Sequence, residues 1–431
     1  ILNTKYSKVE KEVLNPSEKS ISKKVAVSIL TLTYNALDYT KEFVSSLQEH
    51  TSIDYELVVI DNCSSDDSAS YLTNLSKSDS NIRVILNKVN LGFPAAINQG
   101  ILECNGNYIV IVNNDIVLTE GWLERMIEVA ESDSRIGLVG PISNEVSGLQ
   151  KDDNAKYDTI EEMHKYAAKV ANENNGSIFN FPRIAFLCTL IKREVIEKIG
   201  GLDERFSPGN YEDDDFCLRA QIAGFKTVIA KDVFIHHYGS KSFKADGENK
   251  YAERLEINKQ KFISKWGVTP DELWIQRKEI IPHQTYYPIS KNKFDEHFER
   301  ARILLADNEL DLAFESLQNA LVHFHKVEQR KHQIEYYDLL DLAGNLSLAN
   351  GNLELAQKYF AEELEIVPNS STACAGLGEV FFAQELYENS KTMFEWAIKN
   401  DANNQKAVDS LANINSLLGF EINHNSLFIE V

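Results

Sequence analysis

Between Tyr108 and Ile116 the chain reads Tyr-Ile-Val-Ile-Val-Asn-Asn-Asp-Ile, and this stretch constrains the fold more than any other. The apolar run Ile109–Val112 halts at three polar residues, Asn113, Asn114 and Asp115. A short β-branched run bounded by polar residues reads as a buried strand of a parallel sheet. In open α/β sheets the ligand lies just beyond the carboxyl ends of such strands. Two amides and a carboxylate there offer oxygen ligands to a divalent cation and hydrogen bonds to a sugar or ribose. The plain alternative is an ordinary Asn/Asp turn.

The flanking sequence favours the sheet. Val25–Thr33 is a buried strand ending in Tyr34-Asn35, and Lys41–Leu47 reads as a helix. Glu56–Ile60 is a second strand ending in Asp61-Asn62, and Asp66-Asp67-Ser68 opens the next helix with acids where the helix dipole favours them. Ile82–Leu86 is a third strand and Pro94–Leu102 a helix. This alternation is the signature of a doubly wound α/β nucleotide-binding fold. Polar residues gather at the same end of each strand, which describes one lip of a crevice. Neither Gly-x-Gly-x-x-Gly nor Gly-x-x-x-x-Gly-Lys occurs, so a Rossmann dinucleotide site and a P-loop are both excluded. Asp115 with a metal is then the candidate for holding phosphates.

A chain of 431 residues is expected to form two or three domains. Its formal charge of -21 argues against nucleic-acid binding, which needs Lys/Arg surfaces, but not against a nucleotide neutralised by a metal. Five scattered cysteines without a Cys-x-x-Cys pair fit reduced thiols and a cytoplasmic protein. No apolar run approaches the roughly 18 residues of a membrane span, and no signal peptide is read at the start.

Thr33-Tyr-Asn35, Val59-Ile-Asp-Asn62 with Ser64-Ser-Asp66, Asn90-Leu-Gly-Phe93 and Asn113-Asn-Asp115 together resemble the family 2 glycosyltransferases of the GT-A fold. Gly200-Gly-Leu-Asp-Glu204, Tyr211-Glu-Asp-Asp-Asp-Phe216 and His237-Tyr-Gly-Ser-Lys-Ser-Phe243 continue the likeness. The resemblance implies a nucleotide-sugar site of Thr33, Tyr34, Asn35, Asp61, Asn90, Gly92, Phe93, Asn98, Asn113 and Asn114. Within it, Asp61 would meet the base, and Asp115 would hold Mn2+ or Mg2+ on the diphosphate. The family's metal motif is commonly Asp-x-Asp, whereas this chain keeps one carboxylate.

Residues 145–180 are polar and suggest a lid or excursion, and Phe186–Ile191 reads as a further strand. Glu212, Asp213, Asp214 and Asp215 form a run of like charge that a helix N-terminus explains only in part. Glycosyl transfer needs a carboxylate to take the acceptor's proton, a contribution of roughly 10²–10⁴ in rate. By position in the family motif, Asp213 is the base, Glu212 orients acceptor or sugar, and Asp215 braces the loop. Val228–Ala230 and Val233–Ile235 are apolar, and the second leads into His236-His237. The resemblance places a metal-binding histidine there and favours His237 over His236.

The tail turns helical after a Trp/Tyr/Pro-containing tether. Gly344, Ala356, Phe360 and Pro368 recur 34 residues later as Gly378, Ser390, Phe394 and Ala402. That period resembles the tetratricopeptide repeat, with a looser earlier copy at Ala313, Leu317 and Ala320 and a last helix at Ala407–Leu418. The expected order is an arm (1–24), a GT-A domain (25–245), a tether (246–290) and a helical repeat domain (291–431). The leading expectation is an inverting glycosyltransferase. It moves sugar from a nucleotide-diphosphate sugar, a UDP-sugar such as UDP-GlcNAc being favoured, to Ser/Thr of a protein acceptor such as flagellin. The alternatives are a surface-polysaccharide transferase, such as a rhamnosyltransferase, docked through the repeats, and a non-catalytic scaffold.

Overall fold

The computed structural model describes residues 26–239, 248–281, 285–291, 293–307, 309–325 and 334–426. The expected arm at 1–24 and the Ser240–Phe243 end of the histidine motif lie outside them. The chain divides into two compact units, residues 1–198 with 202–279, and residues 199–201 with 280–431.

The first unit begins with the expected alternation. Strands β1 (Val27–Thr33), β2 (Tyr55–Asp61), β3 (Ile82–Leu86) and β4 (Tyr108–Asn113) alternate with helices α1 (Leu37–His50), α2 (Ser68–Ser78) and α3 (Phe93–Ile101). The sheet order is β3-β2-β1-β4, all parallel, and the register pairs Thr33 with Asp61 and Leu32 with Asn113. Those polar strand ends therefore share one edge. Ile29, Val59, Val110 and Val112 lie in the core beneath it.

Beyond β4 the sheet turns mixed. β6 (Ile136–Ser143), β8 (Cys188–Lys192) and β9 (Lys226–His237) extend the order to β4-β8-β6-β9, with β8 antiparallel to both neighbours. The strand at 188–192 was expected without a direction, because reversing one strand leaves an apolar pattern unchanged. The two apolar segments expected at 228–230 and 233–235 form one long strand, bent where its register against β6 shifts between Pro141 and Ile142. Residues 145–180 are not wholly a polar excursion. They contain α5 (Ile160–Glu173), whose Met163, Ala167 and Val170 pack on Val117 and Phe234.

From Lys293 onward, the regular elements of the second unit among the described residues are all helices. Helices Ile334–Ala349 and Leu353–Ile366 are followed by Ser371–Ala383 and Tyr387–Asn400, so the helix pair repeats every 34 residues. The repeated small and aromatic residues explain the period. A Cβ on Gly344 would sit 2.5 Å from the Phe360 ring, and one on Gly378 would sit 2.6 Å from the Phe394 ring. Each glycine lets one helix approach the fully buried aromatic ring of the next.

Phe360 also fills the space over Gly376, so it anchors two helices at once. Phe360→Ala is expected to destabilise the helical unit by about 3–5 kcal/mol. Urea unfolding followed by far-ultraviolet circular dichroism measures this, and a loss below about 1 kcal/mol would contradict the packing role.

Candidate active site

The lip of the crevice is made by loops that fasten one strand end to the next. Asn62 donates its backbone N–H to Thr33 O at 2.9 Å, and Asn35 Oδ1 accepts from Ser65 N at 2.6 Å. Asn35 sits at φ 51°, a left-handed conformation that asparagine tolerates. Asp61 is buried, and its Oδ2 accepts from Ser64 N at 3.1 Å. Its Oδ1 is buried without a partner, an acceptor held ready for a ligand donor.

Asn62 Nδ2 donates to Asn90 Oδ1 at 2.8 Å, and Asn90 Oδ1 also accepts from Gly92 N at 2.9 Å. Gly92 takes φ 76°, and Phe93 N donates to Pro208 O at 2.8 Å. The Asn90–Phe93 loop is therefore wedged between β2 and the loop that precedes the acidic helix. Tyr34 stands exposed on the lip, and Asn113 is half-buried at the end of β4.

Three residues expected in the nucleotide site make hydrogen bonds within the protein. Asn114 spends both amide hydrogens on Thr33 Oγ1 at 3.1 Å and Thr40 Oγ1 at 2.9 Å, tying β4 to β1 and α1. Thr33 is fully buried in that knot. Asn98 clamps α3 to the following half: Nδ2 donates to Leu202 O at 2.8 Å and Glu204 Oε1 at 3.0 Å, while Oδ1 accepts from Leu202 N at 2.7 Å. Sequence position alone cannot separate an amide facing a ligand from one facing a neighbouring loop.

Asp115 and His237 come together through a two-residue strand. β5 (Ile116–Val117) pairs antiparallel with the end of β9, Ile116 opposite His237 and Val117 opposite His236. Tyr238 N donates to Asp115 O at 3.0 Å, closing the ladder. His237 Nε2 lies 3.2 Å from Asp115 Oδ1, and both residues are largely buried. The other ring nitrogen settles the tautomer. His237 Nδ1 is 2.6 Å from Glu145 O, and a carbonyl can only accept, so Nδ1 carries the hydrogen. In the neutral ring the Nε2 lone pair then faces a carboxylate lone pair with no hydrogen between them.

That arrangement is costly when empty and suits a cation shared by both. Burial disfavours the imidazolium, but the hydrogen bond and charge of Asp115, with Glu145 behind the ring, raise the pKa of His237 above its ordinary value. Among the described residues no cluster of three or more His, Cys, Asp or Glu side chains could hold a metal. The pair therefore fits Mn2+ or Mg2+ only if a ligand's oxygens and water complete the shell. His236 faces away: its Nδ1 takes the Tyr157 hydroxyl at 2.8 Å, and burial lowers its pKa to about 4.

The acids form the first turn of α7 (Glu212–Ile222). All four are buried, and each has a different environment. Glu212 Oε2 has no partner, and burial with the charges of Asp213 and Asp214 raises its pKa well above the usual carboxylate range. Asp213 accepts from Arg183 Nη2 at 3.3 Å and from Asp214 N at 3.0 Å. Asp214 accepts from Trp274 Nε1 at 2.8 Å, and burial lifts its carboxyl to about 7 against the opposing charge of Arg183. Asp215 is the brace: Arg219 Nε, Lys265 Nζ and Trp266 Nε1 approach it at 2.7, 2.7 and 2.9 Å.

Two links set this turn beside the metal pair. Asn113 N donates to Leu187 O at 2.8 Å, and the neighbouring Phe186 ring packs on Phe216 at 5.5 Å between centroids. Arg183 Nη1 also donates to Ser147 Oγ at 2.9 Å, while Asn144 in the same loop donates to His237 O at 3.1 Å. One loop thus touches both halves of the site. The turn is held from outside by α8 (Glu248–Trp266), whose Asn258 Nδ2 donates to the carbonyls of Phe206 and Gly209 at 2.6 and 2.9 Å. Those bonds fix a backbone in which Asn210 and Tyr211 both have positive φ, a strain uncommon for so bulky a residue as tyrosine. Sequence reading missed Arg183, Lys265 and Trp274. Each is a single cation or aromatic with no periodic signal.

Residues 28–200 match the profile of glycosyl transferase family 2. The sheet unit carries a family 2 glycosyltransferase domain. An uncharacterised glycosyltransferase of Haemophilus influenzae is 33% identical over 114 residues, 26% of this chain and 35% of that protein. An uncharacterised glycosyltransferase of Rickettsia felis is 27% identical over 228 residues, 52% of this chain and 35% of that protein. The chain thus spans about a third of the length of these relatives. Glycosyltransferase GlyG of Streptococcus pneumoniae is 26% identical over 220 residues, 49% of this chain and 68% of that protein. Among solved structures, the mannosyltransferase PcManGT of Pyrobaculum calidifontis, in complex with GDP-Man and Mn2+, superposes with a TM-score of 0.43 at 15% identity, covering 80% of this chain and 88% of that one.

Lys265 lies between two buried carboxylates, Asp203 at 2.9 Å and Asp215 at 2.7 Å. Despite burial, its charge and those of Arg205 and Arg219 hold both pKa values below the ordinary value. A depressed carboxylate stabilises the fold above its unfolded pKa of about 4, and that stability is lost as pH falls through the folded value. Lys265→Met is expected to cost about 3–5 kcal/mol at pH 7, with a smaller cost below pH ~4 as the orphaned acids protonate. Denaturation at pH 7 and pH 3.5 checks the sign, and a cost independent of pH would contradict the ion network.

Proposed function

We propose that this chain transfers a sugar, with inversion, from a nucleotide-diphosphate sugar to a hydroxyl carried by a protein acceptor. The donor is a UDP-sugar, UDP-GlcNAc being the simplest candidate, and the acceptor is a flagellin-like protein gripped by the helical unit. The observation that carries the reading is the Asp115–His237 pair, two lone-pair donors facing one another at the edge of a nucleotide-binding sheet.

A divalent cation held by Asp115 and His237 would neutralise the diphosphate as it leaves. The chain's own residues supply the rest. Asp61 Oδ1 receives a donor N–H of the base, in a pocket floored by β2. Tyr34, Asn35, Asn90, Gly92, Phe93 and Asn113 border the nucleotide, while Thr33, Asn98 and Asn114 keep that border rigid. Asp213 takes the hydroxyl proton, and Glu212 orients the hydroxyl through its unpartnered Oε2. Arg183 keeps the two neighbouring aspartates from drifting, since it pairs with both. The 34-residue helix pair supports a tetratricopeptide-like array, and such arrays present concave surfaces to polypeptides.

Asp115→Ala is expected to abolish Mn2+-dependent UDP binding and leave the fold intact, because Asp115 ends a strand rather than filling the core. Calorimetry with and without Mn2+ decides it, and equal affinity in both proteins under both conditions would sink the metal role. The protein-acceptor reading has its own test. A chain ending at Ser290 keeps Tyr287, whose backbone pairs with Ile199 and Gly201. That chain should still hydrolyse the donor slowly but glycosylate the protein at least tenfold more slowly, as the acceptor's effective concentration falls. Transfer at the full-length rate would show that the helices do not hold the substrate, and the surface-polysaccharide reading would take its place.

A further inference from the structure

Two tryptophans of one short segment cap adjacent carboxylates of the acidic turn. Trp266, the last residue of α8, donates its indole N–H to Asp215 Oδ1 at 2.9 Å, and Trp274 donates its own to Asp214 Oδ1 at 2.8 Å. Trp274 ends α9 (Pro270–Trp274), a short helix whose start is closed by a capping box between Thr269 and Glu272. The two carboxylates differ in what else they hold. Asp215 also meets Arg219 and Lys265, each at 2.7 Å, so it has two cations besides its indole. Among the described residues the cation paired with Asp214 is Arg183, and it is shared. Arg183 Nε lies 3.1 Å from Asp214 Oδ1, while Nη2 of the same guanidinium lies 3.3 Å from Asp213 Oδ2. A guanidinium is planar and rigid, so the direction of its Nε contact sets where Nη2 stands. Asp214 Oδ1 is therefore the point where Trp274 and Arg183 meet, and the contacts run in series from Trp274 through Asp214 and Arg183 to Asp213.

Asp214 needs these partners to stay charged. It shares its surroundings with Glu212 and Asp213 on the same turn, Tyr211 before them, Cys217 after them and Arg183 opposite. From α8 and α9, Glu256 and Asp271 act on the neighbouring Tyr211. Of these groups only Arg183 favours the Asp214 carboxylate. Burial and Asp213 oppose it, which leaves its pKa at about 7. The indole hydrogen bond lowers that value, so it keeps Asp214 ionised to a lower pH than burial alone would allow. Once protonated, Asp214 no longer attracts the guanidinium, which is then free to turn away from Asp213 as well.

We propose that Trp274 is a positioning residue for sugar transfer: its indole N–H fixes Asp214 against Arg183, and Arg183 in turn aims Asp213 at the acceptor hydroxyl. The proposal rests on the reading of Asp213 as the base. In the step it serves, the acceptor oxygen bonds the anomeric carbon, the diphosphate leaves with the electron pair of the broken bond, and the hydroxyl proton passes to Asp213. Trp274 acts on that step only through Asp214.

Two measurements on the full chain test it. With the indole nitrogens isotopically labelled, the Trp274 N–H resonance is identified by its absence from Trp274→Phe. It should move with a midpoint of about pH 7 in the wild-type chain and hold still in Asp214→Asn. Donor hydrolysis is then followed against pH, with Mn2+ present, using whichever of UDP-GlcNAc, UDP-glucose, UDP-galactose, dTDP-rhamnose and GDP-mannose turns over fastest. Trp274→Phe should lower kcat at pH 7 at least about fivefold and leave KM for the donor within about twofold. Because the lost hydrogen bond had lowered the pKa of Asp214, the acid limb of kcat should move to higher pH. On an Asp214→Asn background the same change should alter kcat less than about twofold. An indole signal that does not titrate between about pH 5 and pH 9 overturns the proposal. So does a fall in kcat equally large on both backgrounds, or wild-type kcat with an unmoved limb in Trp274→Phe. Should Trp274→Phe not fold, the indole signal that titrates in the wild-type chain and is flat in Asp214→Asn decides the link by itself. Undiminished hydrolysis by Asp213→Asn, or no hydrolysis of any donor by the wild-type chain, overturns the underlying reading instead, and the catalytic role of Trp274 falls with it whatever the resonance does.

Discussion

The site depends on a pairing of two residues with two. Ile116 and Val117 leave the central strand, cross to the far edge of the sheet and pair with His236 and His237. Without that short antiparallel ladder, Asp115 would face solvent at the end of β4 and His237 would end an edge strand. With it, one carboxylate and one imidazole nitrogen are held 3.2 Å apart in a largely buried setting. The Nδ1–H bond to Glu145 O fixes the tautomer of the neutral ring, whose Nε2 lone pair then points toward Asp115. In the proposed reading, β9 supplies the second donor that Asn113-Asn114-Asp115 lacks.

The acidic helix obeys a related constraint. Four buried carboxylates in one helical turn cannot all remain charged without partners. The fold separates them by assigning each its own surroundings: Arg183 and Trp274 for the middle pair, the Arg219–Lys265–Trp266 cluster for Asp215, and no partner at all for Glu212 Oε2. Helix α8 thus belongs physically with the acidic turn, because its Asn258, Lys265 and Trp266 position the strained backbone from which the acids project.

Much of this was legible in the residues. The β-α alternation from Val27 to Asn113 follows from apolar runs of strand length bounded by polar punctuation. Asp61, Asp115, His237 and the Glu212–Asp215 turn stand out because carboxylates and imidazoles are seldom buried without a role. Asp215, expected to brace the loop from its position in the family motif, is held by Arg219, Lys265 and Trp266. Strand direction was not legible, since β8 has the same apolar pattern in either orientation. The amphipathic helix Ile160–Glu173 was hidden among charges, although Met163, Ala167 and Val170 recur at helical spacing. The partners of Asn98 and Asn114 were not legible either, because an amide side chain carries no mark of which neighbour it will satisfy.

The central claim is that Asp115 and His237 share one cation with a nucleotide diphosphate. Pulsed electron paramagnetic resonance of the full chain loaded with Mn2+ and UDP reads the coordination shell directly. The account predicts a directly bonded imidazole nitrogen, together with phosphorus couplings from the diphosphate, and loss of the nitrogen signal in His237→Ala. A spectrum with phosphorus couplings and no nitrogen, unchanged by that substitution, would contradict it.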